Sequence, residues 1–229
     1  MPTTKAADTG GSRLIMLAIW LIGAGLLVIG VNAQLPRWAP PPVPSPAAAR
    51  PPQAAIPRAR ALAAGQRRGG PGTAPLPRSV PVSLRIPAIG VKARVVPLGL
   101  DASGGAAVPS LSTPFLTSWY DRGPAPGEAG PAVLLGHVDS AAVGPAVFYK
   151  LGDLVPGDLV YVTRRDHRTA VFRVTAVALY PERDFPAKKV YGFTARPSLR
   201  LVTCGGDFDE QTHLYLDRTI AFAAYAGES

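Results

Sequence analysis

The sequence predicts an all-β domain, a sandwich or a barrel, over residues 82–229. Short runs rich in β-branched and aromatic residues recur from Val82 onward, and glycine, proline and aspartate separate them. No long segment of this region shows strong helical periodicity, so we expect any helices to be short. The seven predicted strands are 82–86, 93–98, 132–136, 159–164, 170–180, 199–204 and 219–225.

The N-terminal part of the chain has the composition of a membrane anchor. Residues 14–31 form an uncharged apolar run of 18 residues, at the short end of what crosses about 30 Å of hydrocarbon as a helix. Because Lys5 and Arg13 precede this run, the positive-inside rule predicts a cytoplasmic N-terminus over residues 1–13 and an extracellular folded domain. A cleaved signal peptide is the alternative, since residues 31–33 resemble a cleavage site, but the apolar run is longer than the usual signal-peptide core.

A proline-rich segment, residues 32–81, connects the predicted anchor to the predicted domain. It holds 13 of the 26 prolines and lacks hydrophobic periodicity. Such a segment buries too little apolar surface to offset its ordering entropy, so we expect a disordered linker with some polyproline II.

The net charge of +9 belongs mainly to this linker and not to the domain. Residues 35–81 contain seven arginines and no acidic residue, whereas residues 82–229 contain 15 basic and 14 acidic residues. A nearly neutral domain argues against a nucleic-acid partner.

Two predicted strand ends carry the residues best suited to chemistry. Cys204, the single cysteine of the chain, stands where two glycines follow strand 199–204, and His137 follows strand 132–136. A cysteine nucleophile needs a nearby histidine or arginine that stabilises its thiolate. Arg218 is the only arginine or lysine after Cys204, and an arginine can also stabilise an oxyanion. The residues alone leave open a buried structural cysteine whose histidine and arginine are unrelated to it.

Other candidate sites have weaker support. Cys204, His137 and His213 offer three zinc ligands, but no CxxC, HxxxH or HExxH spacing accompanies them. The acidic stretch 205–210 lacks the ligand spacing of an EF-hand, so a solvated loop is expected there. His167 lies in the charged turn RRDHR and is expected to be a solvated surface residue.

Four motifs in a fixed order support a family resemblance. They are AVLLGHVDS, FYKLGDLVPGDLVYV, LRLVTCGGDFD and an arginine before the last strand, and they lie within residues 84–229. This order resembles the sortase family, most closely the class F sortases of Gram-positive actinobacteria. The resemblance implies a closed sortase-type β-barrel with short helices. Residues 200–204 match the family signature TLxTC except at its first position, so the family nucleophile corresponds to Cys204 and the family histidine to His137.

The family arginine needs a separate assignment in this chain. Class F relatives are expected to carry it directly after a tyrosine, where this chain has Leu216, whereas other classes place it directly before the last apolar strand, as with Arg218. A two-residue spacing keeps both side chains on one face of a strand but displaces them by about 7 Å, unless a loop or bulge absorbs the shift. Since no other arginine or lysine follows Cys204, we assign the role to Arg218.

The resemblance implies a membrane-anchored cysteine transpeptidase that needs no cofactor and no metal. Cys204 would attack the threonine carbonyl of an LPxTG-like sorting signal of a secreted protein and form a thioester. His137 would protonate the leaving amine, and Arg218 would hold the substrate carbonyl. An amine of a cell-wall peptide would then accept the acyl group. The alternatives are a sortase-like hydrolase and a non-catalytic tethered β-domain that binds cell-wall polymer or protein; a monomer is expected.

Overall fold

The computed structural model describes residues 39–49 and 74–229. Most of the predicted linker and all of the predicted anchor, residues 14–31, lie outside the described residues. Within the described ranges, no helix is both long enough and apolar enough to cross a lipid bilayer.

The described chain is built mainly from β-strands. The strands are β1 (Pro81–Ile86), β2 (Val91–Leu98), β3 (Thr117–Tyr120), β4 (Gly130–Gly136), β5 (Asp139–Ser140), β6 (Gly144–Pro145), β7 (Leu159–Arg164), β8 (Thr169–Pro181), β9 (Pro197–Asp209) and β10 (Leu214–Glu228). The helices are α1 (Pro46–Ala49), α2 (Ala187–Tyr191) and three 3-10 turns, Pro87–Ile89, Leu151–Asp153 and Glu182–Asp184.

Eight of the strands close into one barrel in the order β1-β2-β3-β4-β9-β10-β8-β7. The neighbours β2 and β3, and likewise β4 and β9, are parallel, and the other pairs are antiparallel. Strands β5 and β6 form a separate two-stranded sheet. Closure pairs the strand edges with one another, and it confirms the predicted all-β barrel with short helices.

Each of the seven predicted strands corresponds to an observed one. The prediction missed β3, β5 and β6, which have four, two and two residues and are therefore too short to show an alternating pattern. The prediction also ended one strand at Cys204, whereas β9 continues through the two glycines to Asp209. Most of the expected loop at 205–210 is therefore strand, because it pairs with the beginning of β10.

Two apolar clusters stabilise the barrel on opposite sides of its wall. The larger cluster includes Leu84, Trp119, Phe172 and alternate residues of β9 such as Leu199 and Leu201. The smaller cluster forms where α2 covers β4, β9 and β10, and it contains Val133, Leu135, Val190, Val202 and Ile220. Residue 204 follows residue 202 on the same face of β9, so Cys204 shares the face of the smaller cluster.

Two stretches of the predicted linker pack against the barrel. In residues 39–49, the side chain of Ala48 is 1% exposed and joins the larger cluster. The Tyr149 hydroxyl donates one hydrogen bond that the carbonyls of Ala39 and Pro40 share. In residues 74–80, Leu76 is buried and its N–H donates to the carbonyl of Gly127 at 2.8 Å. These two stretches differ from the expected disorder, because their apolar side chains pack against the barrel.

Candidate active site

Strands β9 and β10 bring Cys204 and Arg218 together. The two residues are direct partners in the antiparallel register, although 14 residues separate them along the chain. The Nη1 of Arg218 donates a hydrogen bond to Sγ of Cys204 at 2.8 Å. A permanent positive charge therefore contacts the thiol.

A β-bulge sets this register. Tyr215 pairs with Phe208, but Asp217 pairs with Gly205. An advance of three residues along β9 therefore matches an advance of two residues along β10, which leaves one extra residue on β9. Gly206 lies in the bulge with φ of 72°, and a Cβ there would collide with the carboxylate of Asp217. The bulge shifts the register by one residue, so Cys204 pairs with Arg218, whereas without it Cys204 would pair with Thr219.

Strand β4 carries His137 to the same end of the barrel as Cys204. Strands β4 and β9 are parallel, with Leu135 opposite Val202, and the hydroxyl of Thr203 donates to the carbonyl of Gly136 at 2.8 Å. One residue further along each strand are His137 and Cys204. Parallel neighbours end at the same edge, so His137 and Cys204 lie at the same edge of the barrel.

The segment around His137 is fixed from several sides. The His137 carbonyl accepts a hydrogen bond from the N–H of Phe148 at 2.9 Å, and a Cβ on Gly136 would lie 2.7 Å from Val147. Nε2 of His137 lies 2.6 Å from the carbonyl oxygen of Pro109. Since a carbonyl only accepts, Nε2 carries a proton, and Nδ1 is the nitrogen left to exchange one.

Burial and nearby charges have opposite effects on the thiol. Burial raises the pKa of Cys204, and the Arg218 guanidinium partly offsets this rise by stabilising the thiolate. The carboxylates of Glu182 and Asp139 raise the pKa of Cys204 further. Burial and the two carboxylates therefore oppose ionisation of the thiol, whereas Arg218 favours it.

Glu182, a second partner of Arg218, was not predicted from the sequence. Its carboxylate accepts a hydrogen bond from Nε of Arg218, while Nη1 of the same side chain points at Cys204. Glu182 lies in the 3-10 turn after β8, 36 residues before Arg218. No local pattern could identify this contact, because it forms only when the connection between β8 and β9 folds back over the barrel.

Asp139 and Tyr215 form another pair that the sequence did not reveal. The Tyr215 hydroxyl donates a hydrogen bond to the Asp139 carboxylate, and burial together with this carboxylate raises the pKa of Tyr215. Both residues lie close enough to Cys204 to interact with its charge.

A groove of about 560 Å³ opens beside Arg218, the residue that contacts the thiol. Leu135 and Val202 of the smaller cluster line it, together with the rings of Tyr120 and Tyr191, and Arg218 lines its polar side. The acidic residues Asp101 and Glu182 also line the groove, and Arg218 is the one cationic residue among the described residues that line it. The apolar walls suit the side chains of an extended peptide, and the guanidinium can donate to a backbone carbonyl.

The described ranges contain no group of three or more histidine, cysteine, aspartate or glutamate side chains able to share a metal ion. His213 is exposed at the tip of the β9–β10 hairpin, where its ring lies 6.3 Å from that of Phe208. The zinc set of Cys204, His137 and His213 therefore has no support in this part of the chain. His167 is exposed in its turn, as predicted.

Comparisons with known proteins agree with this architecture. The sortase-domain family model matches residues 84–226, which is more than half of the chain. Among solved structures, a lid mutant of sortase A from Corynebacterium diphtheriae is 19% identical with a TM-score of 0.50, covering 66% of this chain and 72% of that chain. Sortase C1 from Streptococcus agalactiae is 17% identical with a TM-score of 0.50, covering 65% of this chain and 68% of that chain. At these identities the structural likeness supports the fold alone, and no curated protein sequence gives a significant match.

Proposed function

Because the chain belongs to the sortase family of cysteine transpeptidases, we propose that it cleaves an LPxTG-like sorting signal and transfers the acyl group to an amine of the cell wall. The observation that carries this proposal is the contact between Arg218 and the Cys204 thiol on paired strands, beside a groove that Arg218 lines. Cys204, His137 and Arg218 are the proposed catalytic residues.

In the first half of the reaction, the Cys204 thiolate attacks the carbonyl carbon of the signal threonine. The S–C bond forms, the carbonyl oxygen becomes an oxyanion, and the peptide C–N bond then breaks to leave a thioester. His137, as imidazolium, gives its proton to the leaving amine. In the second half, His137 takes a proton from the incoming amine, which attacks the thioester and releases Cys204.

Arg218 has two tasks in this scheme. Its guanidinium stabilises the thiolate, and it holds the substrate carbonyl oxygen as negative charge develops there. The hydrogen bond from Nε to Glu182 supports both tasks, because it fixes the plane of the guanidinium while Nη1 remains directed at the sulfur.

We assign the chain to class F within the family. The GHVDS and TCGGDFD motifs support this assignment, although Arg218 stands two residues later than expected for that class. The bulge at Gly206 shifts the register by one residue, so that Arg218 and not Thr219 pairs with Cys204.

The proposed location is the outer face of the cell membrane. The uncharged run 14–31 would form a single-pass anchor with residues 1–13 in the cytoplasm, and the domain would be extracellular as a monomer. Because Cys204 is the only cysteine, a membrane-impermeant thiol reagent applied to intact cells tests this topology. Labelling only after the cells are lysed would contradict it.

The test of function is cleavage of a fluorogenic LPxTG-like peptide with and without an added amine. His137→Ala should lower kcat/KM by several orders of magnitude, because the leaving amine and the incoming amine lose their proton carrier. His167→Ala, at an exposed turn, is the matched control and should have little effect. Equal losses in both variants would contradict the assignment of His137.

Product analysis separates the proposed transferase from its alternatives. A transpeptidase yields the amine adduct when amine is added, whereas a hydrolase yields the free acid under both conditions. A non-catalytic binding domain yields neither product.

A further inference from the structure

The Tyr215–Asp139 hydrogen bond links the two parts of the proposed site. Asp139 begins β5, two residues after His137, and Tyr215 lies in β10, three residues before Arg218. The phenol therefore ties the segment that carries the histidine to the hairpin that carries the cysteine and the arginine.

We propose that this hydrogen bond is a clamp between the two parts of the site, and that Asp139 and Tyr215 are positioning residues of the reaction. The proposal rests on the proposed function, since it concerns how His137 and Cys204 are held in register. Neither residue is among those that line the groove, and we expect the clamp to act through the positions of His137 and Cys204.

Packing around the pair restricts both partners. The Tyr215 ring lies edge-on to Phe208 with centroids 5.1 Å apart, and Phe208 is the register partner of Tyr215 across the hairpin. Asp139 pairs with Pro145 in the small β5–β6 sheet. Because the backbone is held at both residues, the distance that the hydrogen bond bridges is fixed. Loss of this hydrogen bond would therefore loosen the segment that leads back to His137.

The clamp also fixes a negative charge beside the thiol. The charged and titratable groups that interact with Cys204 are Arg218 and Tyr215 from β10, Glu182 from the 3-10 turn and Asp139 from β5. His137 lies two residues before Asp139. Burial is the main cause of the raised pKa of Cys204, and the Asp139 carboxylate adds to it. Removing the Asp139 charge therefore favours the thiolate.

The first test compares two tyrosine variants of the same strand in the full-length protein. Tyr215→Phe should lower kcat for the sorting peptide by about tenfold to a hundredfold, the range that loss of a hydrogen bond to a charged group allows, with little change in KM. Tyr225→Phe is the matched control, because the buried Tyr225 hydroxyl finds no hydrogen-bond partner among the described residues. It should retain wild-type kcat. A Tyr215→Phe enzyme within twofold of wild type would overturn the clamp.

The second test separates positioning from a purely structural role. Asp139→Asn keeps an oxygen that can accept the Tyr215 hydrogen bond but removes the charge, so it should retain more activity than Asp139→Ala. The midpoint for alkylation of Cys204 by iodoacetamide, followed against pH, should move to lower pH in Asp139→Asn. An unchanged midpoint would overturn the electrostatic part of the proposal, and this readout holds even if Tyr215→Phe fails to fold.

A third variant distinguishes failure of the clamp from failure of the proposed function. Cys204→Ala should abolish peptide cleavage. If it does and Tyr215→Phe is normal, only the clamp is wrong. If Cys204→Ala remains active, the proposed function itself fails.

Discussion

Arg218 illustrates how far single residues could be predicted. The sequence identified it by elimination, since no other arginine or lysine follows Cys204, and the structure pairs the two residues directly. Its partner Glu182 could not be predicted, because the contact spans 36 residues and depends on a connection without a strong local pattern. The Tyr215–Asp139 contact spans 76 residues and was missed for the same reason.

Substitution of Arg218 tests its assignment at the residue scale. Arg218→Ala should lower kcat by about a hundredfold to a thousandfold, the usual cost of removing an oxyanion donor. Leu216→Ala is the matched control, because this side chain is 51% exposed and stands where class F relatives would carry the arginine. Steady-state kinetics on the sorting peptide measures both. A larger loss in Leu216→Ala would reject Arg218.

Among the elements, the β9–β10 hairpin differs most from its prediction. Hydrophobic alternation predicted both strands, and two glycines were expected to end β9 at Cys204. In the structure Gly205 and Gly206 extend β9 through a bulge. The amino-acid pattern could not distinguish the end of a strand from a bulge, because glycine is common at both. Which of the two forms depends on the pairing of β9 with β10.

Alanine substitution of two glycines tests the bulge. Gly206→Ala should destabilise the fold by about 1–3 kcal/mol and lower activity, because a Cβ there meets both an unfavourable φ and the Asp217 carboxylate. Gly90 has a φ of 71°, and a Cβ at this position would meet no atom within 4 Å, so Gly90→Ala isolates the backbone strain. Chemical denaturation measures both variants, and equal losses of stability would contradict a special role for the bulge.

At the scale of the whole molecule, the folded unit begins before the first strand. The sequence predicted a domain from residue 82, but Leu76 is buried and the fully buried Arg164 donates hydrogen bonds to the carbonyls of Pro77 and Pro126. Composition predicted disorder for the linker as a whole and could not separate the stretches that pack on the barrel. Their contacts depend on grooves that exist only after the barrel closes.

Two truncations test this boundary. Removal of residues 1–80 should lower the free energy of unfolding by about 2–4 kcal/mol relative to removal of residues 1–73. The longer deletion removes the Leu76 side chain and leaves a donor of the buried Arg164 without its Pro77 partner. Urea denaturation measures the difference, and coincident unfolding curves would show that residues 74–80 contribute nothing to stability.

The most direct test of the central claim is mass spectrometry of the full-length protein mixed with an LPxTG-like peptide. The wild type should gain the mass of the acyl fragment on Cys204 and lose it when an amine is added, with formation of the amine adduct. Cys204→Ala should show neither acylation nor cleavage. Cleavage at the wild-type rate by Cys204→Ala would contradict the claim that this thiol is the nucleophile.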